Sequence, residues 1–295
     1  MSANVRWSAW KNLPIKFSPA VLAETLDGGQ SFRWARNAVG EWIGIWGECV
    51  AKLAQDDDGA LRWSAPVTIA DRIEQELSLY LGSETSLAAQ INTLPWRSDA
   101  HLAECLGAFP GLRILRQPFG ETLLCFLCSA TKQIVQIKQM VALLAERHGA
   151  EIAPGFRRLP SWRELARVSE ISLRDCKLGF RARYISETAR FIAANPGWLK
   201  TTEAAPYAEA KERLCTLPGV GEKVADCALL FGAGRMDAFP VDVWILKTMA
   251  RRYGLDGWKP EQVAHFGRTH FGPLAGLAQQ YLFSYERRAE KPFVI

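Results

Sequence analysis

The chain has 295 residues, long enough to bury a sizeable core and to divide into two or three compact units. Its 48% hydrophobic and 23% charged residues are the balance of a folded globular protein and exclude a disordered tail or a fibre. A net charge of +5 admits an anionic partner without demanding one, and no apolar run approaches the roughly 20 residues that span a bilayer, so an intracellular location and no membrane partner are expected.

From about residue 15 to 80, short alternating runs such as QSFRWARNAVGEWIGIW, broken by Gly, Asn and Asp, predict an antiparallel sheet. From about residue 84 the period lengthens and predicts helices near 98–108, 118–129, 132–148, 161–168, 181–194, 206–216, 222–232, 242–253, 260–268 and 273–288. Pro118, Pro160, Pro196, Pro218, Pro240, Pro260 and Pro273 punctuate these segments and suit short interhelical connections. The class is α+β: a sheet domain with the first helices over residues 1–115, then a helical domain over 116–295. Seven scattered cysteines read as reduced thiols. Cys125 and Cys128 form a CxxC, but inside the apolar run LLCFLCSA, with no second pair or nearby histidine, so core thiols are expected, and neither a metal nor a cofactor.

The stretch LCTLPGVGEKVADCALL, residues 214–230, lies in a helix-hairpin-helix expected over about 211–232. Gly219 and Gly221 allow a tight turn that approaches a ligand closely. The free amides at the start of the second helix face outward at a positive dipole end, which suits a phosphate oxygen; an ordinary αα-hairpin is the plainer alternative. Lys223 falls in the first turn of that helix, where the dipole works against a cation. A neutral amine there is a nucleophile, whereas a solvated surface lysine is the bland alternative. Nineteen residues on, Asp242 precedes an apolar helical run in FPVDVWILK. It could serve simply as an N-cap, or also place a negative charge that stabilises a cationic transition state.

These segments resemble the helix-hairpin-helix glycosylases with a Gly/Pro-rich loop and an aspartate, and within them the 8-oxoguanine DNA glycosylase branch. The resemblance spans DGGQSFRW at 27–34, CSATKQIVQI at 128–137, LGFRARYI at 178–185, LPGVGEKVADC at 217–227, FPVDV at 239–243 and FGPLAGLAQQYLFS at 271–284. It implies base excision from duplex DNA containing oxidised guanine, by a monomer. Lys223 would attack the anomeric carbon with Asp242 as partner, leaving a Schiff base that permits a lyase step. A flipped base would meet the carbonyl of Gly29, lie between Cys227 and Phe283, and bond Gln279 through its Watson–Crick edge. Cys227 and Phe283 could equally be core, and Gln279 could face solvent. DNA contacts are implied for Thr131, Phe180, Arg181, Gly219, Gly221, Val224 and Trp244. Phe180 would be the wedge beside the flipped base, and Arg181 a contact to the orphaned cytosine. Arg183 would be structural or face a phosphate.

Three positions depart from the family pattern: Thr131 stands where an asparagine usually fills the void, Gln136 where an arginine often reads the opposite cytosine, and Trp244 where a histidine contacts phosphate. They put opposite-base preference in doubt, not the chemistry. An alkyladenine-type glycosylase shares the fold and the aspartate but uses water and generally lacks the hairpin lysine. A non-catalytic DNA-binding module would leave the lysine, aspartate and base-pocket pattern unexplained.

Overall fold

The computed structural model describes residues 5–289. Strand β1 (Lys11–Lys16) is followed by helix α1 (Pro19–Asp27) and by β2 (Trp34–Arg36), β3 (Trp42–Trp46), β4 (Cys49–Gln55) and β5 (Ala60–Ser64). All neighbours pair antiparallel, in the order β1-β5-β4-β3-β2. The sheet's tryptophans bury one face: Trp34 stacks on Trp46 at 5.9 Å, and Trp46 meets Tyr80 at 4.7 Å. Tyr80 belongs to α2 (Ala70–Tyr80), whose Ile73, Leu77 and Tyr80 lie on one helical stripe. The Trp34 indole donates to the Tyr80 hydroxyl at 3.0 Å, so the helix is bonded to the sheet as well as packed on it.

The remaining helices are α3 (Leu87–Thr93), α4 (Ala100–Ala108), α5 (Phe119–Leu127) and α6 (Ile134–His148); after a short hairpin of β6 (Glu151–Ala153) and β7 (Phe156–Arg157) come α7 (Trp162–Leu165) and α8 (Glu170–Leu173). They continue as α9 (Arg181–Ala194), α10 (Trp198–Ala204), α11 (Tyr207–Cys215), α12 (Glu222–Ala228), α13 (Val243–Tyr253), α14 (Pro260–Phe271) and α15 (Ala275–Ala289). A π-helical turn precedes α9 and another extends α12.

The expectation of strands throughout 15–80 is corrected at two places. Ser18 caps α1 by accepting from the Val21 amide at 3.2 Å, with Pro19 at the first helical position, so the chain turns helical between β1 and β2. Residues 70–80 obey a three-to-four spacing that the flanking strands obscured. The β6–β7 hairpin fills the connection between the helices expected at 132–148 and 161–168, and α3, α8 and α10 lie outside the expected helices.

Helix α5 joins the two halves. Phe119 and Thr122 through Leu127 are all buried, and the helix packs on α12. At its first turn both Glu121 oxygens accept from the Gly47 amide at 3.1 Å, tying α5 to the β3–β4 turn. Burial holds that carboxyl above the usual carboxylate range. Among the described residues no helix is long and apolar enough to cross a membrane. No group of three or more His, Cys, Asp or Glu there could hold a metal ion.

Candidate active site

The turn between α11 and α12 depends on Gly219, whose φ of +76° is costly for other residues and whose missing Cβ leaves room for the Tyr184 ring, 2.4 Å from where that carbon would be. No side chain caps α12, so the amides of its first turn receive no side-chain acceptor. Val224 turns into the core, which leaves any contact with DNA to its backbone.

Lys223, half-buried, reaches back over α5. Its Nζ lies 3.4 Å from Ser129 Oγ and 4.8 Å from the centre of the Phe126 ring. Ser129 donates its own proton to the Phe126 carbonyl at 2.7 Å, so its lone pairs face the lysine. One turn along α12, the Cys227 side chain is 3% exposed and within hydrogen-bonding reach of Lys223. Burial pushes its thiol up to about 12, against the pull of the lysine charge.

Asp242 caps α13: one oxygen accepts from the Trp244 amide at 3.0 Å and the Ile245 amide at 2.9 Å. Burial raises its carboxyl above the ordinary range, while the Ile245 hydrogen bond and the Lys223 charge pull the other way. A cationic sugar beside it would find a carboxylate already fixed in place.

Two residues before Asp242, the Pro240 carbonyl accepts from Gln279 Nε2 of α15 at 3.1 Å. This commits the amide nitrogen and orients the other end of the side chain. Gln279 is 4% exposed, and its Oε1 has no hydrogen-bond partner among the described residues. One turn further along α15, Phe283 approaches Gly29: a Cβ built at Gly29 would lie 3.7 Å from its ring and 3.0 Å from Ile134. With φ at +109°, Gly29 occupies backbone space essentially closed to other residues.

Sequence reasoning missed what pins that glycine. The buried amide of Gln30 donates to Thr25 O at 3.0 Å and Arg113 O at 2.9 Å and accepts from the Leu115 amide at 2.9 Å; its own carbonyl accepts from Gln117 at 2.5 Å. A polar residue inside an apolar loop was the one available signal. Ser129, just beyond α5 and inside CSATKQIVQI, and Phe126, within the helix, carried nothing that marked a contact with Lys223.

The residues expected to contact DNA are placed differently. Phe180 is 51% exposed, its ring 5.9 Å from Tyr184. Thr131 is exposed, with φ at +55°. Arg181, expected from the resemblance to contact the orphaned cytosine, is 2% exposed here: its Nη atoms donate to the carbonyls of Leu178 and Ala130 and to Thr131 Oγ1, under the loop between α5 and α6, and its Nε has no partner among the described residues. Gln136 Oε1 accepts from the Gln133 amide at 3.2 Å, capping α6. Trp244 is half-buried with Lys247 Nζ 5.5 Å above its ring, and Arg183 pairs with Glu187 at 2.7 Å. The CxxC thiols of Cys125 and Cys128 are both buried in the core. Cavities of about 490 and 590 Å³ lie elsewhere; neither is lined by Lys223 or Asp242.

Against known proteins, residues 12–123 match the model of the 8-oxoguanine DNA glycosylase N-terminal domain, and residues 124–271 that of the HhH-GPD superfamily base excision DNA repair proteins. The chain is 34% identical to the N-glycosylase/DNA lyase OGG1 of Arabidopsis thaliana, over 96% of its own length and 81% of that protein's. It is 30% identical to the N-glycosylase/DNA lyase of Saccharomyces cerevisiae, over 84% and 72% respectively. Among solved structures, the 8-oxoguanine glycosylase/lyase of Clostridium acetobutylicum, in complex with double-stranded DNA containing cytosine opposite 8-oxoguanine, superposes with a TM-score of 0.86 at 28% identity, covering 96% of this chain and 99% of that one.

Proposed function

The chain belongs to the HhH-GPD superfamily and, within it, to the N-glycosylase/DNA lyases of base excision repair; on that premise we propose that it removes 8-oxoguanine from duplex DNA, with Lys223 as nucleophile and Asp242 as its carboxylate partner. The observation that carries this reading is the arrangement around Gln279: a buried, unpartnered acceptor, held by the Pro240 carbonyl, two residues from the carboxylate that faces the lysine. A purine entering there offers N–H groups on its Watson–Crick edge, which Oε1 would accept. The Gly29 carbonyl would take the N7–H that 8-oxoguanine has and guanine lacks. For guanine two acceptors would then be opposed, a penalty of about 1–3 kcal/mol. Cys227, kept as a neutral thiol by burial, and Phe283 would face the two sides of the ring.

In the reaction the Nζ lone pair forms a bond to C1′ while the C1′–N9 bond breaks and its electron pair leaves with the base. The proton displaced from Lys223 passes to the departing base or to Asp242. Opening of the sugar ring then gives an imine, which acidifies C2′ and lets the 3′ phosphate depart by elimination. The carboxylate of Asp242 stabilises positive charge at the sugar as the base leaves. The Gly219–Gly221 turn would grip the backbone without reading sequence, Phe180 would wedge into the stack, and Thr131 would face the void left by the base. The protein would act as a monomer where genomic DNA is kept, in the nucleoid or the nucleus.

Borohydride trapping on duplexes carrying 8-oxoguanine opposite each of the four bases tests this directly, with the wild type and Lys223→Gln in parallel. The expected result is a covalent adduct with the wild type alone. Base release without an adduct would remove Lys223 as nucleophile. Release of alkylated purines by both proteins, with 8-oxoguanine left untouched, would favour the alkyladenine reading.

A further inference from the structure

A buried charged cluster joins α11, α12 and α14 and takes no part in the proposed chemistry. The Nζ of Lys211, on α11, lies 2.7 Å from Glu222 Oε2, 3.1 Å from Asp226 Oδ2 and 3.2 Å from the Tyr207 hydroxyl. An ammonium carries three protons, so these three acceptors use it fully. Asp226, 1% exposed, is as completely engaged: Oδ1 accepts from the Tyr207 hydroxyl at 2.7 Å and Oδ2 from Lys211. Arg268 of α14 donates to the same hydroxyl at 3.3 Å, which ties the third helix in. Glu222 and Asp226 stand one turn apart on α12, with Lys223 between them in sequence and Cys227 directly after. Lys211 therefore holds α12 at two points along one stripe, and two points fix both the rotation of a helix and its slide along its axis. Little else does so. The helix has seven residues, no side chain caps its start, and its far end passes into a π-helical turn. Its buried side includes the small residues Ala225, Cys227 and Ala228, which fit a neighbour in more than one rotation.

We propose that Lys211 and Asp226 are positioning residues for Lys223: their ion pair, closed by Tyr207, sets the rotation and register of α12 and so aims the nucleophilic amine at the sugar. The inference rests on the reading of Lys223 as the nucleophile of a glycosylase. A buried ion pair adds little stability over apolar groups of the same shape, because desolvation offsets the attraction. What it supplies is a single arrangement, since any other rotation of α12 would leave a buried charge unpaired. Such precision matters where the attacking atom must sit within bonding reach of one carbon.

The test measures two single-turnover rates at saturating enzyme: excision of 8-oxoguanine, and borohydride trapping on a duplex with a preformed abasic site, which reports on the lysine without the base pocket. The proteins are the wild type, the double variant Lys211→Met with Asp226→Asn, Lys211→Met alone and Tyr207→Phe, each with its thermal melting and each assayed well below its Tm. The double variant buries no charge and keeps an acceptor for Tyr207, so it should melt within about 3 °C of the wild type. Both of its rates should nevertheless fall about tenfold or more. Lys211→Met alone leaves a buried carboxylate without its cation and should melt lower, with a similar loss of rate. Tyr207→Phe keeps the ion pair and should lose only about threefold. If the double variant does not fold, the two single variants decide. Rates within about twofold of the wild type in every folded variant would overturn the proposal and leave the cluster a scaffold, whatever the Tm. Slower excision with trapping unchanged would also overturn it, because the defect would then lie in the base pocket. A wild type that traps the abasic site but leaves 8-oxoguanine in place would sink the substrate reading alone, and the trapping rates would still judge this inference; a wild type that does neither sinks both.

Discussion

The proposed catalytic floor and the proposed duplex-facing rim solve positioning in opposite ways. On the floor, Lys223 and Asp242 stand at the starts of helices, Asp242 is fixed by two amides, and Gln279 is aimed by a carbonyl; Gly29 alone has unusual backbone, and Gln30 locks it with four hydrogen bonds. On the rim, Thr131 and Phe180 sit on loops, exposed, and Thr131 has positive φ with its hydroxyl accepting from Arg181. Chemistry that must hold atoms within a fraction of an ångström is built on rigid elements. Engagement of a deformable duplex is proposed for loops; of the three departures from the family pattern, Thr131 lies on such a loop, whereas Gln136 and Trp244 lie in the first turns of α6 and α13.

This contrast can be broken or sharpened by substitution. The largest effect is expected from Asp242→Asn. Asparagine caps a helix about as well as aspartate, but the charge is gone, so excision should fall by roughly 10²-fold or more. Stability should move the other way. The folded carboxyl titrates above its unfolded value, so the stability contributed by its proton is present at low pH and lost as pH rises through the raised folded value. Above that raised value the ionised group disfavours the fold, so on the high-pH side the asparagine variant should melt at or above the wild type. Calorimetry showing a clearly lower Tm would mean that the floor is built for stability and not for charge.

Gly29→Ala should come next, with about a tenfold loss of kcat/KM on 8-oxoguanine, because the new carbon meets Ile134 at 3.0 Å and the backbone must leave a φ of +109°. A crystal structure of the variant with the Gly29 carbonyl unmoved and full activity would refute the assignment of that carbonyl. The smallest effect is expected for Phe180→Ala. Its half-exposed ring should cost only several-fold in duplex excision and less than about 0.5 kcal/mol in stability, measured by denaturant unfolding. A large destabilisation would make the rim part of the core.

Legibility in the sequence follows the same line. The hairpin, the helical half and the cap before α13 were readable because glycine, proline and an apolar period act locally. Helices α1 and α2 were lost because their apolar stripes are short and lie at either side of a run of strands. The family models meet between residues 123 and 124, inside α5, where nothing in the apolar run marks a boundary. Gln30 and Ser129 work through partners that only the fold supplies, Arg113 and Leu115 for one and Lys223 for the other. The inward turn of Arg181 was illegible for the same reason: its acceptors at 130 and 131 are about fifty residues away, and nothing in LGFRARY distinguishes an inward arginine from an outward one.

The state of Cys227 bears on how the protein endures the conditions that create its proposed substrate. Oxidants attack the thiolate, and burial that lifts a thiol to about 12 leaves only a minute fraction of it ionised at neutral pH. The sulfur proposed to stack against an oxidised base is thus itself shielded from oxidation. Of the seven cysteines only Cys215 is exposed, and it lies at the end of α11, ahead of the hairpin turn. Peroxide damage would begin there, outside the pocket, while the surface that receives the damaged base stayed chemically intact.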